Sequence, residues 1–94
     1  MRVRWLRSAR ADLRRIARYI AQDNPTAAER LTVRITEAVA ALAEHPLLGR
    51  PGRVISTREL VVSGTPYIVA YRVREGVVEI LAVIHGAQQW PTSF

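Results

Sequence analysis

One Pro/Gly-rich segment divides this chain into two halves with different hydrophobic periods, and that division limits the folds open to it. The segment is His45-Pro46-Leu47-Leu48-Gly49-Arg50-Pro51-Gly52-Arg53. Two prolines and two glycines within nine residues cannot continue a helix, so it reads as a loop. Upstream, apolar residues recur every three or four positions; downstream, β-branched and aromatic residues gather in short runs. A helical half followed by a strand-rich half is the signature of an α+β domain with its helices segregated to one side of a sheet.

The helical half contains two amphipathic stretches. From Ser8 to Asp23, Leu13, Ile16, Ala17 and Ile20 fall on one helical face, and Ser8 offers an N-cap oxygen. From Pro25 to Glu44, Ala28, Leu31, Ile35, Ala38, Val39 and Leu42 form a second apolar side. Asn24-Pro25 joins them, Asn as N-cap and Pro at the first helical position, where its missing N–H costs nothing. So tight a corner predicts an antiparallel hairpin. A short strand over Val3–Leu6 precedes it, and three more follow the loop: Arg58–Val62, Tyr67–Val73 and Val77–Ile84. Ser63-Gly64-Thr65-Pro66 and Arg74-Glu75-Gly76 are short enough to be hairpin turns, which makes these three strands an antiparallel meander. The last run is almost continuously apolar and is expected in the sheet interior, covered on both faces. The expected fold is therefore β-α-α-β-β-β: a helical hairpin on one face of a curved, mainly antiparallel four-stranded sheet, with the other face open to a partner. A chain of 94 residues supports one such core, so residues 1–94 are read as a single domain.

Charge and composition narrow the function. The net charge is +6, and every one of the fourteen basic residues is Arg, a planar fork suited to phosphate and carboxylate. With no Cys and only two His, thiolate chemistry and a thiolate or His-based metal site are excluded from the expectation, and no cofactor is implied. No apolar run approaches the roughly 20 residues of a membrane span, and Arg2 and Arg4 open the chain without the apolar core of a signal peptide, so a cytoplasmic location is expected.

The element order, taken with Gly49-Arg50-Pro51-Gly52, Arg58-Glu59-Leu60-Val61-Val62, Tyr67-Ile68-Val69-Ala70-Tyr71-Arg72-Val73 and Ile80-Leu81-Ala82-Val83-Ile84-His85-Gly86, resembles the RelE/ParE toxin superfamily over essentially the whole chain. The resemblance implies the toxin of a type II toxin–antitoxin system, neutralised by a cognate antitoxin whose acidic segment folds on binding. It also implies one of two targets, DNA gyrase for ParE-like members or mRNA on the ribosome for RelE-like ones. RNA cleavage needs an acid, a base and cations on the phosphate. Arg53, Arg58 and Arg72 are the candidate cations and His85 the candidate acid or base. RNA-cleaving relatives carry Arg after the tyrosine that corresponds to Tyr67, whereas Ile68 stands here; the tail Gly86–Phe94 also lacks their basic or tyrosine-bearing end. Both departures favour the ParE-like branch, a toxin acting by binding rather than as an enzyme.

Target or antitoxin contacts are sought in three places. Arg7, Arg10, Arg14 and Arg18 form a basic stripe along the first helix. Arg50, Arg53 and Arg58 cluster around the loop and the first strand of the meander. Trp90 and Phe94 either pin the tail to the core or, if exposed, offer aromatic contact area.

Overall fold

In the computed structural model, which describes residues 1–94, the apolar run becomes strand β5 (Val77–His85), flanked on both sides. Strand β1 (Arg2–Trp5) lies parallel to it on one side, and β4 (Tyr67–Arg74) lies antiparallel on the other. Strand β3 (Arg58–Val61) pairs with β4, and the two-residue β2 (Arg50–Pro51) pairs with β3, giving the order β1-β5-β4-β3-β2. The sheet thus has five strands rather than the four expected. The extra one arises because Arg50 and Pro51, at the end of the Pro/Gly segment, run straight enough to pair with Glu59 and Arg58. Proline is tolerated there because β2 is an edge strand.

Helices α1 (Arg7–Ala21) and α2 (Pro25–Ala40) form the expected hairpin, and a single 3₁₀ turn, Ala41–Ala43, ends it. Asn24 caps α2 as its sequence position predicts, its side chain accepting a bond from Ala27 N–H at 3.1 Å. Both helices stop a few residues short of the expected Asp23 and Glu44. The core lies between hairpin and sheet: Ile16, Ile35, Val39 and Leu42 meet Val69, Tyr71, Val78, Ile80 and Val83. Alternation along the strands assigns the sheet faces from this cluster. Tyr67, Val69 and Tyr71 face the helices, whereas Ile68, Ala70, Arg72 and Arg74 face away.

Ser8 does not cap α1. The N-cap position falls on Leu6 with no side-chain bond, and Ser8 Oγ donates instead to Leu81 O at 2.8 Å. The cause lies in β5, which has nine residues against the four of β1 and runs on beyond their last pair, Trp5–Ile80. A bulge at Leu81 shifts the pairing from Tyr71–Ile80 to Ala70–Ala82, and beyond Ile80 the β1 side of β5 has no strand to bond. Leu6 N–H takes Ile80 O at 3.0 Å, Ser8 takes Leu81 O, and Asp12 Oδ2 accepts from Val83 N–H at 3.0 Å. The first turns of α1 therefore replace the missing strand with side chains one helical turn apart, leaving few buried backbone groups unpaired.

Candidate functional site

The face of the sheet away from the helices is less open than the sequence suggests. Ala70, Ala82 and Ile84 are buried there under Trp90. Arg53 lies over the Trp90 ring, its guanidinium carbon 3.7 Å from the ring centroid, a cation–π contact. Phe94, 44% exposed, borders a small cavity with Arg72 and Leu81. The tail thus runs across the face rather than away from it. Trp90 Nε1 is buried without a hydrogen-bond partner.

Two buried carboxylates organise the arginines on this face. Glu59, on β3, accepts from Arg50 at 3.1 Å, from the Arg53 backbone at 2.8 Å, and from the Arg53 side chain at 3.1 and 3.2 Å. Burial raises its pKa, but these bonds from Arg53 and Arg50 outweigh burial and hold it below 4.5. Glu79, the third residue of β5, is bonded by Arg72 Nε at 2.7 Å and by Arg4, with Arg74 Nε at 3.5 Å. The Arg72 hydrogen bond is the main cause of its lowered pKa, opposed by burial and helped by the charge of Arg74. A single acid inside an apolar strand, opposite arginines on both neighbouring strands, is the sequence signal for this pair of clusters. It becomes visible only once the register is known, and Glu59, Glu79, Arg2, Arg4 and Arg74 were accordingly missed as site residues.

The groups proposed for RNA chemistry do not converge. Arg53 and Arg72 lie on the far face, each engaged with a buried glutamate. Arg58 pairs with Tyr71, and His85 with Tyr67, so both belong to the helix-side face. Arg58 Nη1 donates to Gly49 O at 2.8 Å. His85 Nδ1 accepts from Ala87 N–H at 3.0 Å, and its ring meets Tyr67 edge-on at 5.4 Å. No group of three or more His, Cys, Asp or Glu residues could hold a metal ion, and no helix is long and apolar enough to cross a membrane.

Arg7, Arg10, Arg14 and Arg18 are all exposed on α1 and none is in an ion pair. Arg14 and Arg18 border an open groove of about 1400 Å³ between the two helices and the Gly64-Thr65 turn. Its floor is made of small residues, Ala17, Ala21 and Ala28, and Arg30 and Arg34 stand on the opposite wall. Small residues allow another helix to approach closely, and the flanking arginines favour one with acidic sides.

Residues 3–90 match the family described as the ParE toxin of type II toxin-antitoxin system, parDE. The chain is 53% identical over 90 residues to Y4kP of Sinorhizobium fredii, covering 96% of this chain and 93% of that one. It is 42% identical over 84 residues to toxin RelE2 of Caulobacter vibrioides, covering 89% and 93%. Among solved structures, it is similar to a chain of a chromosomal ParDE TA system from P. aeruginosa, with TM-score 0.80, 30% identity, and 90% and 95% coverage. A chain of the toxin-antitoxin complex RelBE2 from Mycobacterium tuberculosis aligns with TM-score 0.64 and 29% identity, covering 89% and 95%.

Proposed function

This chain belongs to the ParE toxin family of type II toxin–antitoxin systems, and from that premise we propose that it poisons DNA gyrase by binding and is silenced by a cognate antitoxin. The observation that carries the gyrase reading is the separation of Arg53 and Arg72 from Arg58 and His85 by the thickness of the sheet. General acid–base cleavage requires donor, acceptor and phosphate cations around one reacting atom. A binding toxin has no such requirement; it needs only a stable surface.

The antitoxin is best accommodated by the helical hairpin, where the unpaired arginine stripe of α1 and the alanine-floored groove suit an acidic amphipathic helix. The toxin's own basicity supplies the steering. A cytoplasmic site of action follows from a cytoplasmic target.

Purified toxin incubated with gyrase, plasmid DNA and ATP is expected to accumulate cleaved, protein-linked DNA. Undiminished supercoiling at high toxin concentration would overturn the reading. The second reading, a ribosome-dependent mRNA endonuclease, draws on His85: its Nδ1 accepts from Ala87 N–H, which leaves Nε2 as the ring nitrogen available for proton transfer. Primer extension on translated mRNA decides between the two, since new 5′ ends appear after induction only if the toxin cuts RNA.

A further inference from the structure

The end of the sheet around Glu79 carries a charge arrangement that neither ion pairing nor folding requires. Arg2 and Arg74 both pair with Val77, and Arg4 and Arg72 both pair with Glu79. The register therefore sets four arginines at the corners of a rectangle, with Val77 and Glu79 on its midline. Glu79 faces away from the helices, between the core residues Val78 and Ile80, so alternation puts all four arginines on the far face. The rectangle measures about 7 Å along the strands and about 10 Å across them, from two residue rises and two strand spacings.

Three features distinguish this array from a solvated charged surface. First, it is uncompensated, with four cations against the one buried carboxylate, and Arg2 makes no ion pair. Second, Glu79 holds Arg72 by a hydrogen bond from Nε and faces Arg74 Nε as an ion pair at 3.5 Å, which leaves both terminal nitrogens of each without a protein partner. A guanidinium fixed at Nε presents its remaining N–H groups as a ready fork, with less entropy to lose when an anion binds. Third, the pivot is itself only 5% exposed at its side chain, so it orients the arginines without offering its charge to an approaching polyanion.

We infer that this rectangle is a docking platform for the sugar–phosphate backbone of duplex DNA. Successive phosphates along a nucleic-acid strand are spaced on the scale of the rectangle's short side. Backbone contact by arginine forks is independent of sequence and requires no base-reading side chain. The choice of DNA over other polyanions rests on the gyrase reading, because gyrase acts on duplex DNA. The platform lies on the face opposite the hairpin groove, so an antitoxin helix in that groove leaves it uncovered.

The test is fluorescence anisotropy of the purified toxin with a short labelled DNA duplex, without gyrase, across a salt series. The variant R2Q/R74Q removes two corners and leaves the Arg4–Glu79–Arg72 bonds in place. It should lower the slope of log affinity against log salt by about 2 and weaken binding roughly 10- to 100-fold near 0.1 M salt. R2K/R74K should keep most of the affinity, and R10Q/R18Q, which removes the same charge from α1, should leave the slope almost unchanged. The inference is overturned if R10Q/R18Q lowers the slope as much as R2Q/R74Q. It is equally overturned if R2Q/R74Q loses binding only to vesicles of anionic lipid and not to DNA. Gyrase cleavage run in parallel separates the two claims: cleavage by R2Q/R74Q at wild-type levels with DNA binding intact removes the platform but not the gyrase reading, whereas salt-dependent DNA binding without gyrase cleavage does the reverse.

Discussion

Replacing Tyr71 with Phe tests how the Arg50–Arg53 segment is held. Tyr71 is fully buried, and its hydroxyl does two things at once. It donates to Pro46 O at 2.8 Å and accepts from Gly49 N–H at 2.8 Å. This one oxygen ties the loop after the helices to the centre of the sheet, just before the residues that clasp Glu59. Tyr71→Phe leaves the buried Gly49 N–H with no acceptor, at about 1–3 kcal/mol, and costs the Pro46 carbonyl a bond worth about 0.5–1.5 kcal/mol, which water can partly replace. The expected loss is about 2–4 kcal/mol, or roughly 10–25 °C in Tm for a chain of this size. Urea denaturation followed by circular dichroism should show a lower midpoint with an unchanged slope. Tyr67→Phe is the control: its ring packs on the core edge against His85, and its change should stay within about 0.5 kcal/mol. A Tyr71→Phe loss no larger than that of Tyr67→Phe would refute the account of how this loop is anchored.

Asp12→Ala strips Val83 N–H of its acceptor and should cost about 1–3 kcal/mol, whereas Asp12→Asn, which keeps an acceptor oxygen, should cost less; equal losses in chemical denaturation would count against the edge-closing role. Trp90→Ala exposes Ala70, Ala82 and Ile84 and removes the contact with Arg53, so a loss of about 1–2 kcal/mol is expected for this half-buried ring, and none would mean the tail does not rest on the sheet. Stability should fall on acidification. Glu59 and Glu79 both have folded-state pKa values below the ordinary 4.5, so their contribution is complete above that value and is lost as pH drops through the lowered ones. Denaturation midpoints between pH 5 and pH 3 should therefore decline less steeply in Glu79→Gln than in the natural protein.

The features legible in the sequence are those set by local chemistry. Asn24-Pro25 fixes the hairpin corner because capping and proline geometry act within four residues, and the run Val77–Ile84 marks the central strand because burial on both faces excludes alternation. What escaped the sequence depended on register. Ser8 is an equally good cap by composition, yet it serves Leu81, because the unmatched length of β5 presents a carbonyl with a greater need. Glu79 reads as a lone charge in an apolar strand until Arg4 and Arg72 are found on either side of it. Arg58 and Arg72 look like members of one cationic set, but Arg58 opposes Tyr71, the neighbour of Arg72 on β4, and adjacent strand residues face opposite ways. For the same reason, no count of arginines and histidines could tell a converging set from a divided one.

The way α1 closes the edge of β5 makes the length of chain between Trp5 and Asp12 inflexible. Ser8 and Asp12 reach Leu81 and Val83 because they sit one turn apart on a helix whose rotation is set by its start. One residue inserted between Trp5 and Ser8 would turn both side chains about 100° around the helix axis, away from the strand. Loops elsewhere can grow at the surface with little effect, but this short connection should accept substitutions in its residues and no change in their number.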